Sequence, residues 1–322
     1  MRAISYTAYG PPNVLRFTEV AKPAPGDDEA LVRIRAASVN PLDWHYVRGK
    51  PYFLRAMVGL RKPKESRLGL DLAGQVEAVG RNLTQFKPGD EVFGACKGAF
   101  AEYVCAPERA LALKPSTVTF EQAAAVPVAA LSALQALRDS GRIQRGQTVL
   151  INGAAGGVGT FAVQLARVLG AEVTGVCGTR NVSMVRSIGA HHVVDYTRED
   201  FTRSGQRYEL IVVTAGKRSL SDYRRALTTE GTLVLVGASD DGRLLGPLKS
   251  MLKAVVLSRF VRQKFLPFMT RLNKDDLLVI RELLETGKVV PVIDRTYPFS
   301  EVSDAIGYLE QGHARGKVVI TM

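Results

Sequence analysis

The segment Asn152-Gly153-Ala154-Ala155-Gly156-Gly157-Val158-Gly159 has the composition and the setting of a phosphate-binding turn. The apolar run 148–152 predicts a strand before it, and residues 160–169 predict a helix after it. Glycine allows the backbone close to an anion, and the free N–H groups at a helix start face that anion. The pattern predicts a dinucleotide-binding turn. The alternative is a turn that binds nothing. The residues expected to contact the pyrophosphate are Ala155, Gly156, Gly157 and Val158.

The tip of the next strand indicates which dinucleotide is bound. An enzyme specific for NAD usually has an acidic residue here, about 20 residues beyond the turn, where it holds the ribose hydroxyls. This chain has Gly178, Thr179 and Arg180 at that point, with no carboxylate. A guanidinium group binds phosphate through charge-assisted hydrogen bonds, so the sequence predicts NADPH. Tyr196, after the third strand, is a predicted neighbour of the 2′-phosphate. Alternatively, Arg180 and Tyr196 are ordinary solvated residues.

The elements that must position these residues fall into two groups. Glycines and prolines divide the first hundred residues into short, strand-like segments, which predict a mostly β unit. An alanine-rich helix over 121–140 is followed by strands that alternate with helices, which is typical of a parallel sheet covered on both faces. The predicted strands are 148–152, 172–176, 192–194, 210–213 and 232–236. The predicted helices between them are 160–169, 182–188 and 220–227. A helix after Lys274, a strand at 289–292, a helix near 302–309 and a last strand at 317–321 complete the prediction.

Composition and charge limit the class of function. The 322 residues are 46% hydrophobic and 23% charged, as in a folded protein with a sizeable core. The net charge is +12, but segment 48–67 carries +6 and segment 242–274 carries +8, so the rest of the chain is slightly negative. Zinc-finger spacing and RNA-recognition aromatic motifs are absent from the sequence. We therefore expect no nucleic-acid partner.

The sequence carries no signal for export or membrane insertion. It has no continuous apolar stretch of about 18 residues, and residues 1–6 lack the apolar core of a signal peptide. The three cysteines, Cys96, Cys105 and Cys177, are too few and too far apart for a disulfide framework. We expect a soluble, cytoplasmic protein.

Besides the turn at 153–159, the chain has four further characteristic segments, at 37–43, 69–74, 86–94 and 312–319. Together these five segments resemble the medium-chain dehydrogenase/reductase superfamily, in particular its zinc-free quinone oxidoreductase branch. The resemblance implies an α/β protein with a GroES-like, mostly β catalytic domain and a Rossmann domain with a doubly wound parallel sheet. The catalytic domain would contain residues 1–122 and 270–322, and the NADP(H)-binding domain residues 123–269. A homodimer is the usual assembly.

The resemblance also indicates what this chain lacks. Zinc alcohol dehydrogenases of the superfamily have a cysteine ligand in place of Asn40, and Gly-His-Glu in place of Gly69-Leu70-Asp71. Zinc requires Cys, His or carboxylate ligands that converge on one point, whereas the four histidines here are scattered. We therefore expect no metal. His45 is either a lone active-site acid or an ordinary surface or core residue.

Without a Lewis acid, a quinone or an α,β-unsaturated carbonyl is easier to reduce than an isolated carbonyl, because conjugation carries the developing negative charge. The resemblance thus implies zinc-independent hydride transfer from NADPH to such a substrate. It places Asn40 beside the substrate as an amide donor to the developing oxyanion. Asp43 is expected to orient its loop. Tyr46 and Tyr52 are candidate proton donors or walls of the pocket.

Further cofactor contacts follow from the resemblance. Ser132 would touch the nicotinamide from the helix that leads into the Rossmann domain. Gly237 and Ala238, at the end of the fifth strand, would line the other side of the ring. Ala215, after the fourth strand, is also assigned to the cofactor. Lys317 would reach the cofactor from the last strand, or else be a surface lysine.

Two other classes of function stay open. The fold also serves enoyl reductases that act on acyl-thioesters, whose phosphates or acidic carriers would suit the basic segments. A non-catalytic NADPH-binding protein is the other alternative, because fold does not determine function. Residues 247–255 predict a basic amphipathic helix. This helix and segment 48–67 either pack on the protein with their cations in solvent or attract an anionic partner such as a membrane surface.

Overall fold

The structure is a computed structural model that describes residues 1–52, 54–216, 218–236 and 261–322. Two predicted cofactor contacts, Gly237 and Ala238, lie outside the described residues, as does the predicted basic helix at 247–255. Among the described residues, no helix has the length and apolar character needed to cross a membrane.

The strands, in chain order, are β1 (Arg2–Ser5), β2 (Arg16–Glu19), β3 (Glu29–Val39), β4 (Asp71–Val79), β5 (Glu91–Ala95), β6 (Tyr103–Pro107), β7 (Leu111–Leu113), β8 (Thr148–Asn152), β9 (Glu172–Cys177), β10 (His192–Asp195), β11 (Tyr208–Val213), β12 (Leu227–Val236), β13 (Lys264–Phe268), β14 (Ile293–Pro298) and β15 (Lys317–Thr321). The α-helices are α1 (Pro41–Arg48), α2 (Leu54–Val58), α3 (Phe120–Ala124), α4 (Pro127–Gln135), α5 (Gly157–Val168), α6 (Val182–Ser187), α7 (Leu220–Ala226), α8 (Lys274–Glu285) and α9 (Val302–Glu310).

These elements form two compact units. The first contains Met1–Leu131 and Leu272–Met322, and the second contains Ser132–Arg271. The predicted boundaries, after residues 122 and 269, both lie earlier along the chain. One reason for the later first boundary is that the backbone N–H of Val128 donates to Oδ1 of Asp71 over 2.9 Å, which holds this stretch to the first unit.

The first unit is built on a mostly antiparallel sheet with the strand order β14-β15-β3-β4-β5-β7, and β6 also pairs with β3. β3 is the centre of this sheet, because it pairs with β15, β4 and β6. Its core includes Ile34, Leu72 and Phe100, all almost fully buried. Both ends of the chain contribute strands, so the site residues of β3, β4 and β15 come together although they are distant in sequence.

The second unit is a doubly wound parallel sheet with the strand order β10-β9-β8-β11-β12-β13. Every neighbouring pair in it is parallel. The order reverses between β8 and β11, and ligands of such sheets bind at the carboxyl ends of the strands near this reversal. The predicted α/β fold class is confirmed.

Two predicted elements are wrong. The stretch 289–292 has no regular structure, and the strand begins at Ile293. Gly287 is left-handed (φ +66°) and Pro291 has no N–H for a strand ladder. The single helix predicted over 121–140 is instead α3, α4 and a π-helical turn, and α4 starts at Pro127. Proline suits a first helical turn, whereas it interrupts a helix interior.

Candidate active site

The predicted phosphate-binding turn connects β8 to α5 in the second unit. Gly153 has a φ of +88°, and a Cβ there would lie 2.6 Å from Oγ1 of Thr214. A Cβ on Gly159 would lie 2.0 Å from the carbonyl oxygen of Gly153. Both glycines are therefore required by the local packing of the turn itself.

Gly156 is different, because among the described residues a Cβ there would meet only the carbonyl oxygen of Gly153, at 3.5 Å. Packing against the described part of the chain does not require this glycine. It is the N-cap of α5 and has no side chain to cap the helix. The N–H groups of Gly157 and Val158 have no acceptor among the described residues. The turn thus offers open space and free donors, which fit a pyrophosphate.

Polar side chains that the sequence analysis missed hold this turn in place. The single hydroxyl hydrogen of Thr214 is shared between the carbonyl oxygens of Asn152 (3.0 Å) and Gly153 (3.1 Å). Nδ2 of Asn152 donates to the carbonyl oxygen of Ala215 (2.9 Å) and to Oη of Tyr223 (2.8 Å). Ala215, a predicted cofactor contact, therefore lies beside the turn. Thr214 follows β11 and Tyr223 lies in α7, far along the chain from the turn that they support. No local sequence motif therefore marks them.

At the tips of β9 and β10, the structure brings together residues assigned to the 2′-phosphate. Tyr196 is 59% exposed, and a Cβ on Gly178 would lie 3.2 Å from its Oη. The backbone N–H of Tyr196 donates to the carbonyl oxygen of Cys177, which extends the β9–β10 ladder by one bond. Arg180 is exposed, with no ion-pair partner among the described residues.

A carboxylate is present at this tip after all, which corrects the sequence analysis. It is that of Asp195, which ends β10 opposite Cys177. Its Oδ2 accepts from the hydroxyl of Thr179 (2.6 Å), and its Oδ1 accepts from the N–H (3.0 Å) and the hydroxyl (2.8 Å) of Thr197. These hydrogen bonds hold the pKa of the Asp195 carboxyl below its usual range, and the bond from the Thr179 hydroxyl has the largest effect. Both carboxylate oxygens thus already accept hydrogen bonds from other residues of the chain.

Arg198 is the second cation at these tips, and the sequence analysis missed it. Its Nε lies 3.6 Å from Oδ2 of Asp195, and its side chain is 76% exposed. The Asp195 carboxylate therefore contacts Thr179, Thr197 and Arg198, and holds these three residues close together. Only the register of β9 with β10 reveals this cluster, because Thr179 and Asp195 are 16 residues apart.

The first unit contains a buried network of polar side chains that includes Asn40. Asp71 is fully buried, and its Oδ2 accepts from Oγ of Ser38 (2.9 Å), Nδ2 of Asn40 (2.9 Å) and Nζ of Lys317 (3.1 Å). Nζ of Lys317 also donates to Oδ1 of Asn40 over 2.7 Å. Buried charges are tolerated when they are paired and hydrogen-bonded, as they are here.

This network determines the orientation of the Asn40 amide. An ammonium group only donates, so Lys317 must face the amide oxygen. A carboxylate accepts, so Asp71 must face the amide nitrogen. The amide nitrogen has two hydrogens, and one of them is bonded to Asp71. The other has no acceptor among the described residues and can donate to a further group.

Asp43 fixes the backbone next to Asn40. Asn40 precedes α1, which begins with Pro41, ends at Arg48 and is followed by a left-handed Gly49. Oδ2 of Asp43 accepts from the N–H of Asn40 (2.7 Å), and Oδ1 accepts from the N–H of Gly69 (3.2 Å). Burial, opposed by these bonds and reinforced by the nearby Asp71, raises the pKa of Asp43 to about 7. Asp43 thus orients its loop, as expected.

Lys317 is only 3% exposed, and the structure gives its ammonium group two partners that the sequence did not indicate. It is not a surface lysine. Two of its three N–H groups are bonded to Asn40 and Asp71, so its predicted contact with the cofactor stays a prediction.

Three of the remaining predicted residues, His45, Tyr46 and Tyr52, lie in α1 or shortly after it. Tyr46 is half-buried in the core of the first unit, and burial raises the pKa of its phenol. Tyr52 is 46% exposed, with the guanidinium carbon of Arg55 4.9 Å from its ring centre. Nδ1 of His45 lies 2.8 Å from the carbonyl oxygen of Lys50. In the second unit, Oγ of the buried Ser132 lies 2.6 Å from Oγ1 of Thr270.

Across the described part of the chain, no three His, Cys, Asp or Glu side chains are grouped as metal ligands. Asn40 and Leu70 occupy the two positions that resemble zinc-ligand positions. The first of these is bonded to a lysine ammonium group, and the second is aliphatic.

Comparisons with known proteins identify the family. Residues 26–116 match the model of the alcohol dehydrogenase GroES-like domain, and residues 188–320 match that of the zinc-binding dehydrogenase. The chain is 34% identical to the chloroplastic quinone-oxidoreductase homolog of Spinacia oleracea, over 99% of this chain and 98% of that protein. It belongs to the medium-chain dehydrogenase/reductase superfamily. Within the superfamily, it lies in the quinone oxidoreductase-like branch.

Two further relatives agree with this assignment. The NADPH-dependent alkenal/one oxidoreductase of Arabidopsis thaliana chloroplasts is 32% identical, over 99% of this chain and 79% of that protein. The solved quinone oxidoreductase of Coxiella burnetii is 28% identical, with a TM-score of 0.86 and coverage of 100% of this chain and 99% of that one. The chain is therefore an oxidoreductase that uses a nicotinamide cofactor.

Proposed function

We propose that this enzyme transfers hydride from NADPH to a quinone or an α,β-unsaturated carbonyl without a metal. The observation that carries the proposal is the hydrogen bond from Lys317 to Asn40. It fixes an amide donor, with one N–H to spare, at the position where zinc alcohol dehydrogenases have a cysteine ligand. A fixed donor of this kind suits an oxygen that gains negative charge during the reaction.

The second unit has the features needed to hold the cofactor. The free N–H groups at the start of α5 would bind its pyrophosphate, and the open space at Gly156 would admit it. When bound, the nicotinamide supplies the hydride. Asn152 and Thr214 would keep the turn in its binding conformation through the hydrogen bonds described above.

The NADPH preference rests on two arginines. Arg180 and Arg198 are both exposed near the Thr179 turn, and guanidinium groups bind phosphate well. Asp195 does not compete for the cofactor, because its oxygens are bonded to Thr179 and Thr197. Tyr196, beside Gly178, would complete the surroundings of the 2′-phosphate.

Zinc independence is supported by the residue types in the buried network. An amide whose oxygen already accepts from Lys317 is a poor zinc ligand, and the ammonium charge would repel a divalent cation. Leu70 offers no ligand atom at all. A conjugated acceptor suits such a site, because its own π system delocalises the charge that zinc would otherwise stabilise.

The names of the relatives support this substrate class, since they include a quinone-oxidoreductase homolog and an alkenal/one oxidoreductase. The expected homodimer and cytoplasmic location stay predictions. Enoyl-thioester reduction and cofactor binding without catalysis are the alternatives that an experiment must separate.

A matched pair of variants tests the proposed role of Asn40. Asn40→Ala removes the amide, and Ser38→Ala removes another partner of Asp71 without touching that amide. We expect Asn40→Ala to lower kcat by about 10²-fold, as for the loss of an oxyanion donor, with a small change in the Kd of NADPH. A change confined to the Kd of NADPH would make Asn40 a cofactor ligand and refute its proposed role.

A further inference from the structure

The segment after α1 presents a small apolar and basic surface. Met57 and Leu60 are 75% and 73% exposed, which places them among the three most exposed large apolar side chains in the described ranges. Exposed cations follow directly at Arg61, Lys62 and Lys64. These five residues are called the basic tip below.

The charge of the basic tip is not balanced within the chain. Two other cations of segment 48–67 do have carboxylate partners: Arg48 makes two hydrogen bonds to Glu310 (2.7 and 2.8 Å). Arg67 binds Glu65, the one acid in the segment (3.1 and 3.2 Å). The three cations of the basic tip have no carboxylate partner in the part of the chain that the structure describes.

A defined turn, anchored to the first unit, supports the basic tip. The N–H of Lys64 donates to the carbonyl oxygen of Val58 over 2.8 Å, which closes the turn. Gly59 has a φ of +126°, and a Cβ there would lie 2.0 Å from the carbonyl oxygen of Lys62, so only glycine fits. Oη of Tyr9 donates to the carbonyl oxygen of Gly59 over 2.5 Å. The exposure of Leu60 therefore follows from the backbone conformation of the turn.

We propose that the basic tip binds an anionic membrane surface. Met57 and Leu60 would enter the boundary between headgroups and acyl chains, while Arg61, Lys62 and Lys64 contact anionic headgroups. Large apolar side chains in water gain free energy when they are buried, and cations gain it near anionic lipid. A partner that offers both an apolar layer and negative charge matches this surface better than a purely acidic one. The proposal is independent of the proposed reaction.

Co-sedimentation with vesicles tests this inference. The full chain is mixed with vesicles of phosphatidylcholine that contain phosphatidylserine, and with vesicles of pure phosphatidylcholine. We expect binding to the anionic vesicles that weakens as salt is added. Met57→Ser/Leu60→Ser should lower the partition coefficient about tenfold or more, because the protein loses the two apolar side chains that would be buried in the membrane. Arg61→Ser/Lys62→Ser should lower it by about 25-fold, at roughly fivefold for each cation.

The controls carry equal changes at exposed positions elsewhere. Met269→Ser/Val279→Ser removes two exposed apolar side chains (84% and 40% exposed), and Arg145→Ser/Lys288→Ser removes two exposed cations. Both should bind like the unchanged protein. Absence of binding at low salt, or equal losses in variants and controls, would overturn the proposal. If Met57→Ser/Leu60→Ser instead converts a dimer to a monomer in sedimentation velocity, the surface joins two copies of the chain and the membrane proposal is wrong.

Discussion

The ammonium nitrogen of Lys317 lies 2.7 Å from the amide oxygen of Asn40, although 277 positions separate the two residues. They meet because β15 pairs antiparallel with β3, with Val318 opposite Val39. The pair makes Lys317 a positioning residue for Asn40: it determines which end of the amide faces Asp71 and which N–H remains free.

The first prediction concerns this pair. Lys317→Met should lower kcat at least about tenfold, because the Asn40 amide loses the donor that orients it. In the Lys317→Met background, Asn40→Ala should lower kcat by a much smaller factor than it does in the unchanged protein, since the effects of coupled residues are not additive. The measurement is a double-mutant cycle on kcat, with the Kd of NADPH determined for each protein. Additive effects would show that Lys317 does not act through Asn40.

Folding must be checked in these variants, because breaking a buried ion pair costs about 3–5 kcal/mol. Trp44, the single tryptophan, lies next to Asp43 in α1, so its fluorescence reports on the first unit. If Lys317→Met unfolds the unit, Lys317→Met/Asp71→Asn removes both charges of the pair and allows the same cycle.

The second prediction concerns cofactor selection. Arg180→Ala should weaken NADPH binding by about 1.5–3 kcal/mol, the range for hydrogen bonds to charged groups, and leave NADH binding nearly unchanged. Arg198→Ala should have the same selectivity with a smaller effect, because part of its charge interacts with Asp195.

Arg145→Ala is the matched control, an exposed arginine that precedes β8 at the opposite end of the sheet. Dissociation constants for both cofactors are measured by titration of each protein. Equal losses for NADPH and NADH would mean that neither Arg180 nor Arg198 contacts the 2′-phosphate.

The glycine-rich turn between β8 and α5 could be predicted from the sequence because its signal is local: glycines, a strand before them and a helix after them. The roles of Asp195 and Lys317 could not. Asp195 reaches Thr179 only through the register of β10 on β9, and Lys317 reaches Asn40 only through the pairing of β15 with β3. Hydrophobic pattern predicts that these strands exist, but it does not specify which polar side chains they place opposite one another.

The third prediction follows from the raised pKa of Asp43. In the unfolded chain this carboxyl ionises near pH 3.8, whereas in the folded protein it does so near pH 7. The folded state thus binds more protons between these values, so this group lowers stability as pH rises through that window. Asp43→Asn removes the titration. The unchanged protein should lose up to about 1.4 kcal/mol per pH unit relative to the variant from pH 4 to 7.

Urea unfolding of both proteins, followed by Trp44 fluorescence at several pH values, measures this difference. Asp43→Asn also loses one hydrogen-bond acceptor, which changes its free energy of unfolding by a nearly constant amount at every pH. The two proteins are therefore compared by the slope of the free energy of unfolding against pH. Parallel curves for the two proteins would contradict the prediction.

The fourth prediction concerns metal. Purified protein should contain much less than one zinc per chain, since Asn40 and Leu70 cannot serve as the ligands of a zinc site. Metal analysis by mass spectrometry measures this. A stoichiometric zinc that survives dialysis would contradict it.

Metal-independent, NADPH-dependent reduction of a conjugated acceptor is tested most directly by NADPH oxidation in the presence of a chelator. The acceptors compared are quinones, enones, saturated aldehydes and enoyl-thioesters. We expect turnover of quinones or enones with NADPH, much slower turnover with NADH, and little with saturated aldehydes. Turnover confined to enoyl-thioesters, loss of all activity in chelator, or tight NADPH binding without turnover of any acceptor would contradict it.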